Sequence, residues 1–259
     1  MSRHVATQVY EDESRLTSHR GSVNGDECGS VSSYGHKHEH KTAAECFRPP
    51  TRQTDEVLVI ILFGSSYYNR FRNSVIRERS IIKNYGGQIV GISAETTVEE
   101  GNWPKDKAMG LLKFRSLKDA RMWSVCDPIC KQQDWLDSVD VVVIPLYQPM
   151  NPIRDDNRVF IELVDVGVQD ADTFYKGYLG PAISILAETK GKNISNCESG
   201  ETVKFRGLWE PGHVIIHQWD NHTDFRCFYD SDAYRDYKKC RQSATESSVI
   251  TCELVAVMQ

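Results

Sequence analysis

A stretch near the end of this chain has a looser counterpart 105 residues earlier. The segment WDNHTDFRCFYDSD begins at Trp219, and the segment FRSLKDARMWSVCD begins at Phe114. In this alignment Trp123 matches Phe228, and the aromatic pair of each segment falls on the stripe that a helix would bury. The spacing predicts that the chain carries one structural unit twice, which limits the possible folds more than any other feature.

Apolar patterns predict the same order of strands and helices in both halves of the chain. In the first half, strands are expected at 57–63, 88–93, 108–114 and 138–146, and helices at 67–85 and 116–123. In the second half, strands are expected at 158–166, 192–195, 213–219 and 247–257, and helices at 170–190 and after Asn221. Pro181 should interrupt or kink the helix at 170–190, because proline lacks the backbone N–H that an interior turn needs.

Each half therefore follows the ferredoxin-like order βαββαβ, which makes the fold class α+β. A sheet of this kind carries helices on one face only, so its other face needs a partner. Two such sheets packed face to face would form one closed core within a single chain. We expect a first unit at 56–147, a linker at 148–157 and a second unit at 158–259.

Residues 1–55 differ from the rest, because polar residues dominate and aliphatic residues are scattered singly. Such a segment buries too little apolar surface to offset its ordering entropy, and we expect a disordered tail. Within it His36, His38 and His40 alternate in GHKHEHK, a spacing that can capture a transition metal on an extended chain. The lysines between them and the lack of a fixed geometry favour a solvated tail instead.

The composition excludes several classes of protein. Apolar residues make up 40% of the chain, and a net charge of −5 gives no sign of nucleic-acid binding. No apolar run approaches the roughly 20 residues that span a bilayer, and the first residues lack the apolar stretch of a signal peptide. The eight cysteines form no CxxC pair, so we expect reduced thiols in a cytoplasmic protein.

Several pieces of the second half occur in a known order. They are the strand end Val164–Val166, Tyr175 and Tyr178 of the first helix, the strand that ends at Trp219, and the run from Phe228 to Tyr234. The first half keeps other pieces, namely Tyr85–Gly87 and Cys126–Pro128. In these features the chain resembles tandem bacterial DUF1330 domains of the dimeric α/β-barrel superfamily. The resemblance implies an intramolecular dimeric α/β barrel, a monomer that acts as a pseudo-dimer.

Relatives in that superfamily include cofactor-free monooxygenases, muconolactone-type isomerases, haem-binding enzymes and ligand-sensing domains, so the fold alone does not decide the function. Two function classes stay open. The first is a small-molecule-binding or scaffold protein. The alternative is a cofactor-independent oxygenase or isomerase that acts on a small enolic or phenolic substrate with a histidine base. Neither class needs a cofactor, and the expected partner is a small-molecule ligand, without nucleic acid or membrane.

The strand HVIIHQW supplies the first candidate site residues. His213, His217 and Trp219 share one face, because alternate residues of a strand point the same way. His217 is the candidate catalytic base, since an imidazole can take a proton from an enol or phenol. A histidine held by a backbone carbonyl or placed at a solvated strand end is the other interpretation. The two histidines lie about 13 Å apart along the strand, too far to chelate one metal, and no metal site is expected.

Gln218, Lys113 and Glu162 are further ligand-binding candidates. Lys113 and Gln218 precede the aromatic residue of matching strands, where an acid often stands in the family that the chain resembles. A lysine and an amide there can hold an anionic or carbonyl-bearing ligand, although Lys113 can also extend to solvent. Glu162 lies within a covered strand on the opposite face from Asp165, and a buried carboxylate is costly unless it is paired. An ion pair or a strand end that reaches water would also explain it.

Two other features have two interpretations each. Trp103, in the loop GNWPKDK, either covers a pocket or anchors a long hairpin. Cys126 and Cys130 lie one helical turn apart, which suits a redox or soft-metal pair as well as two ordinary thiols.

Overall fold

The computed structural model describes residues 51–126, 139–152 and 158–257. The first half contains the strands β1 (Val57–Gly64), β2 (Gly87–Ser93), β3 (Thr97–Glu100), β4 (Lys107–Phe114) and β5 (Asp140–Pro145). Its helices are α1 (Tyr68–Arg77), α2 (Arg79–Asn84) and α3 (Leu117–Cys126). A short 3-10 turn, Ser65–Tyr67, connects β1 to α1.

The second half contains the strands β6 (Arg158–Val168), β7 (Lys192–Cys197), β8 (Val203–Arg206), β9 (His213–Trp219) and β10 (Thr245–Val255). A π-helical segment, Thr173–Leu179, continues into α4 (Gly180–Ala187). The remaining helices are α5 (His222–Tyr229) and α6 (Asp232–Ala244). All the strands that the apolar patterns predicted are therefore present. Residues 1–50 of the tail predicted at 1–55 and the segment at 127–138 lie outside the described residues.

The strands pair in one antiparallel sheet in the order β7-β9-β6-β10-β2-β4-β1-β5-β8, and β3 pairs with β10. The two halves meet at β10 and β2. They also meet between β5 and β7, where Ser195 Oγ donates to Pro145 O over 2.7 Å and Tyr147 N donates to Ile194 O over 2.9 Å. Because β5 and β7 lie near opposite ends of the strand order, these bonds close the sheet into a barrel.

The two faces of each strand bury different cores. In β1, Leu58 and Ile60 point into the barrel, where they join Leu111 of β4 and Ile161 and Ile216 of the second half in one cluster. The alternate residues of β1 pack outward, against the helices of the first half. A separate outer cluster packs β6 and β9 against the helices of the second half. The two-sided burial explains why strands such as β1 and β5 are almost continuously apolar.

The structure differs from the expected helices at two places. The predicted helix at 67–85 divides at Glu78, which ends α1 and begins α2. The predicted helix at 170–190 contains the π-helical turns that end just before Pro181. A proline ring clashes with the carbonyl four residues earlier, here that of Gly177, and a wider turn relieves this clash. The predicted interruption at Pro181 is thus a change from π-helix to α-helix, and the helix continues through it.

Two further strands, β3 and β8, are not among the strands that the apolar patterns predicted. Their sequences TVEE and VKFR are short and only partly buried, so they lack the apolar run that marks the other strands. Two helices begin with a side-chain cap. Ser116 Oγ accepts from Asp119 N over 3.1 Å, and Asn221 Oδ1 accepts from Asp224 N over 2.9 Å. In the described ranges, no helix combines the length and the apolarity needed to cross a bilayer.

Candidate functional site

A buried hydrogen-bonded group joins β6 to β9 on the outer face of the sheet, beneath the helices of the second half. Glu162 and His217 are directly paired across the two strands. His217 Nδ1 donates to Glu162 Oε2 over 2.8 Å, and Trp219 Nε1 lies 3.3 Å from the same oxygen. These three side chains are almost fully buried. The carboxylate therefore has the partners that its burial requires.

The orientation of His217 leaves its second ring nitrogen for another group. Because a carboxylate only accepts hydrogen bonds, the pairing places the proton of a neutral imidazole on Nδ1 and the lone pair on Nε2. Within the described residues, Nε2 makes no hydrogen bond. An imidazole that is oriented by a carboxylate and has an unused lone pair has the arrangement of a general base.

Three phenols and an arginine from the helices extend this polar layer. Tyr178 Oη and Tyr234 Oη lie 3.3 Å apart, and both side chains are buried. Burial, and to a smaller extent the charge of Glu162, raises the pKa of Tyr178, Tyr229 and Tyr234. Arg241 is fully buried and donates from Nη2 to both carboxylate oxygens of Glu100, each over 3.0 Å. The phenols beside Glu162 thus stay protonated at neutral pH and remain hydrogen-bond donors.

His213 lies at the other end of β9 and does not join this group. Its Nε2 is hydrogen-bonded to Asn196 Oδ1, and the rings of Phe174 and Tyr175 approach it edge to face. Burial lowers the pKa of His213 to about 4. The two histidines of the strand therefore have separate partners, as their predicted separation requires.

His213 should make the protein less stable in acid. The unfolded chain takes up a proton at His213 below pH 6.5, whereas the folded protein does so only below about 4. Protons therefore favour the unfolded state in this window, and wild-type stability should fall by about 2–3 kcal/mol more than that of His213→Gln as pH drops from 7.5 to 4.5. Denaturant unfolding of both proteins at the two pH values measures this difference. Parallel losses of stability would contradict a buried neutral His213.

Lys113 and Gln218 lie at one end of the barrel, on the inner face, away from His217. Lys113 Nζ forms an ion pair of 2.7 Å with Glu56 Oε1 and lines a cavity of about 230 Å³ beside Asn151. Gln218 Oε1 accepts from the backbone N of the same Asn151 over 2.8 Å. The structure thus brings Glu162, His217 and Trp219 together and places Lys113, Gln218 and His213 elsewhere.

A larger cavity, of about 520 Å³, lies at the opposite end of the barrel, where β1 and β6 end. Trp103 and Trp209 line it, with ring centroids 5.4 Å apart and an interplanar angle of 78°. Asp165 Oδ2 accepts from Trp209 Nε1 over 2.7 Å. Trp103 lines this pocket and also packs in the inner core cluster, so both interpretations of this residue stay open. We call this space the Trp103–Trp209 cavity.

The sequence also contains a repeated Gly-x-Trp pattern that the sequence analysis did not use. Gly101 and Trp103 recur as Gly207 and Trp209, 106 residues later, and both glycines have positive φ, of 80° and 96°. A Cβ at Gly101 would lie 2.2 Å from a backbone oxygen, that of Ser247. The repeated Gly-x-Trp corner thus marks both sides of the cavity. Arg241 gave no such signal, because its burial depends on packing against the distant β3.

Metal binding finds no support in the described part of the chain, which contains no group of three or more His, Cys, Asp or Glu side chains placed to hold an ion. Cys126 is exposed and Cys197 and Cys252 are buried as free thiols. Cys130, the second member of the considered pair, and the histidines of the tail lie outside the described residues.

Comparisons with known proteins concern the family and the fold. Residues 162–255 match the model of a family described as a domain of unknown function, DUF1330. The match begins at Glu162 and covers most of the second half. No curated protein sequence matches the chain.

Among solved structures, a protein from Fusobacterium nucleatum described as a candidate monooxygenase aligns with a TM-score of 0.50 at 7% identity, over 78% of this chain and 94% of that one. An anthrone oxidase-like protein aligns with a TM-score of 0.47 at 13% identity, over 79% and 93%. A variant chlorite dismutase from Candidatus Nitrospira defluvii aligns with a TM-score of 0.41 at 9% identity, over 78% and 92%. The chain has a mixed α/β fold with an antiparallel sheet, similar to that of dimeric α/β-barrel proteins.

Proposed function

We propose that the chain is a single-chain form of a dimeric α/β barrel that acts as a monomer, with units at 56–147 and 158–259 and a linker at 148–157. The strand order supports it, because β2-β4-β1-β5 and β7-β9-β6-β10 follow the same sequence of elements. The repeated aromatic pair supports it as well. The ring centroids of Phe114 and Trp123 lie 5.2 Å apart, and those of Trp219 and Phe228 lie 5.2 Å apart.

The function that this arrangement supports best is binding of a small enolic or phenolic molecule beside His217. One observation carries it, namely that Glu162 holds Nδ1 of His217 while Nε2 has no partner within the described residues. Within the described residues, Nε2 is not one of the fully enclosed polar atoms that lack a partner, so a ligand hydroxyl can reach it. There the hydroxyl supplies the hydrogen bond that Nε2 does not make within the protein.

Proton transfer follows from the same geometry. Nε2 accepts the proton of an acidic hydroxyl, and the positive charge that then forms on the imidazole is stabilised by Glu162. The ligand becomes an enolate or phenolate, whose oxygen needs a hydrogen-bond donor. Tyr178 and Tyr234 stay protonated and lie in the same layer, so they are donors of this kind.

A second candidate function is turnover of this ligand by a cofactor-independent oxygenase or isomerase. The Glu162–His217 pair favours it, because an enolate is the electron-rich form that reacts with dioxygen or takes the proton back from His217 at carbon instead of oxygen. Burial of the pair also excludes water, which would otherwise compete for the proton. The scaffold interpretation requires that no ligand binds at His217 at all.

Native mass spectrometry of the protein purified from its own source tests the binding function. The expected result is a retained small molecule with an acidic hydroxyl, lost or reduced in the variant His217→Gln. Glutamine keeps much of the size and hydrogen bonding of histidine but cannot accept a proton near neutral pH. Purification of wild-type protein without any such molecule, together with no binding of hydroxyarenes in solution, would favour the scaffold.

The same variant tests turnover. With the identified ligand as substrate, His217→Gln should lower kcat about 10²-fold, the usual effect of losing a general base, and change KM far less. His222→Gln is a matched control, because His222 is exposed at the start of α5 and should leave kcat unchanged. Equal rates for wild type and His217→Gln would exclude His217 as the base.

A further inference from the structure

The Trp103–Trp209 cavity is a second possible site, separate from the proposed one. It opens on the inner face of the sheet, where Asp165 lies, whereas Glu162 and His217 lie on the outer face. Its volume of about 520 Å³ falls within the range of roughly 300–1,000 Å³ that is typical of pockets for small molecules. Two indoles form much of its wall, with Leu62 and Val139 beside them. A ligand there would need an apolar or aromatic body.

Two carboxylates converge on Trp209 in this cavity. Asp165 accepts from the indole Nε1 and from Gly212 N, over 2.7 and 2.8 Å. Asp140 Oδ1 accepts from the backbone N of Trp209 and of Leu208, over 2.8 and 2.7 Å. A carboxylate offers about four lone-pair sites, so these donors leave acceptor capacity on both acids.

The charge around the cavity is negative. A neighbouring cavity of about 570 Å³ shares Asp165 with it and adds Glu210 and Glu246. In that neighbouring cavity Glu210 is paired with Lys204 over 2.6 Å. Among the charged residues that line the Trp103–Trp209 cavity itself, Asp140 and Asp165 face one ammonium group, that of Lys107, 3.6 Å from Asp140 Oδ2. This excess disfavours an anionic ligand and favours a cation, which indole faces also attract.

Trp103 contributes a donor that has no acceptor. Its indole lines the cavity, is more than nine-tenths buried, and Nε1 has no hydrogen-bond partner within the described residues. The matching tryptophan, Trp209, is satisfied by Asp165. In the register of the strands, Asp165 pairs with Val214, and Leu62 pairs with Met109. Met109 and Val214 are 105 residues apart, which is the spacing of the repeat, so they hold equivalent positions in the two halves. Leu62 therefore takes the place of the acid, and an acceptor is missing beside Trp103.

We propose that the Trp103–Trp209 cavity binds a small amine that has an apolar or aromatic body and a hydroxyl group. The ammonium group lies against Asp140 and Asp165, the body packs on the indoles, and the hydroxyl oxygen accepts from Trp103 Nε1. Burial raises the pKa of Asp165, and a cation beside it would favour the ionised carboxylate.

Four probes with one phenyl body test the charge and the hydroxyl separately. They are 2-amino-1-phenylethanol, phenethylamine, 1-phenyl-1,2-ethanediol and mandelate. We expect 2-amino-1-phenylethanol to bind most tightly, phenethylamine next, the neutral diol at least tenfold more weakly than the amino alcohol, and mandelate weakest. High salt should weaken the amines more than the diol, because screening acts on the charged ligand. Titration calorimetry gives the affinities.

The indole N–H signals in a proton–nitrogen NMR spectrum locate the binding. The signals of Trp103 and Trp209, assigned from Trp103→Phe and Trp209→Phe, should shift, whereas that of Trp219 beside His217 should not. Asp165→Asn keeps an acceptor for Trp209 and should weaken the amines at least tenfold. Trp103→Phe should abolish the advantage of the amino alcohol over phenethylamine. Asp236→Asn is the control, because Asp236 is an exposed acid. This variant should leave the affinities for both amines unchanged.

Each alternative result overturns the proposal. Equal or tighter binding of the diol or mandelate would exclude a cation site, and so would unchanged amine affinity in Asp165→Asn. If that variant fails to fold, Asp140→Asn and the order of the four probes on wild-type protein decide the question. No shift of the Trp103 and Trp209 signals at about 10 mM amine would mean that the cavity takes no such ligand. A shift of Trp219 alone would assign the binding to the site beside His217.

Discussion

Replacing Arg241 by methionine should lower the free energy of unfolding by about 3–5 kcal/mol, the usual cost of breaking a buried ion pair by removing one partner. Arg241 is fully buried on α6 and bonds to Glu100 on β3, so it ties the second half of the chain to the first. Burial opposes ionisation of Glu100, yet the charge of Arg241 lowers the pKa of its carboxyl. Without the guanidinium, this carboxylate loses its main counter-charge.

Denaturant unfolding of Arg241→Met measures this loss, and Arg235→Met is the matched control. Arg235 lies on the same helix, pairs with Asp232, and has a side chain that is 61% exposed, so its loss should cost under about 1 kcal/mol. Adding Glu100→Gln to Arg241→Met should recover part of the stability, because the unpaired charge is then gone. If the double variant loses as much free energy of unfolding as the two single variants together, Arg241 and Glu100 are not energetically coupled.

The second large effect is expected from Trp123→Ala, which should cost about 3–5 kcal/mol in the free energy of unfolding. Trp123 is fully buried where α3 packs on the outer face of the first half, and its ring lies against that of Phe114. Alanine would leave a cavity that the surrounding strands cannot fill, because β1 and β4 are fixed by pairing on both sides. Thermal and denaturant unfolding both report the loss.

Met122→Ala is the control for Trp123→Ala. Met122 precedes Trp123 on α3 and is 49% exposed, so its truncation should change stability by less than about 1 kcal/mol. Similar losses for both variants would mean that α3 does not dock through Trp123. Such a result would also remove the packing reason for the repeated aromatic pair.

Much of the fold could be predicted from local pattern, because the strands are buried on both faces and therefore apolar along their length. The runs that became β1 and β5 are of this kind. The short strands β3 and β8 could not be found in this way, since their partial burial comes from pairing with β10 and β5. Their residues look like loop until the neighbouring strand is known.

Local pattern predicted the candidate site only in part as well. The period of two along a strand places His217 and Trp219 on one face and separates Glu162 from Asp165, as predicted. Which residue stands opposite which depends on strand register, and a slip of one residue would turn His217 to the barrel interior. Periodicity cannot supply the register, so the sequence named Glu162 and His217 as candidates without pairing them. It also grouped them with Lys113, which lies across the barrel.

For the single-chain dimer proposed above, the mismatch between Leu62 and Asp165 has a consequence for how the two halves can change. In an assembly of two identical chains, both chains carry every substitution, so it is present on each side of the symmetry axis. A change that suits one side must then be tolerated on the other. In a chain that encodes both sides separately, each position varies alone, so one wall can become acidic while the facing wall stays apolar. Such a chain can therefore accumulate different substitutions in its two halves, which two identical chains cannot.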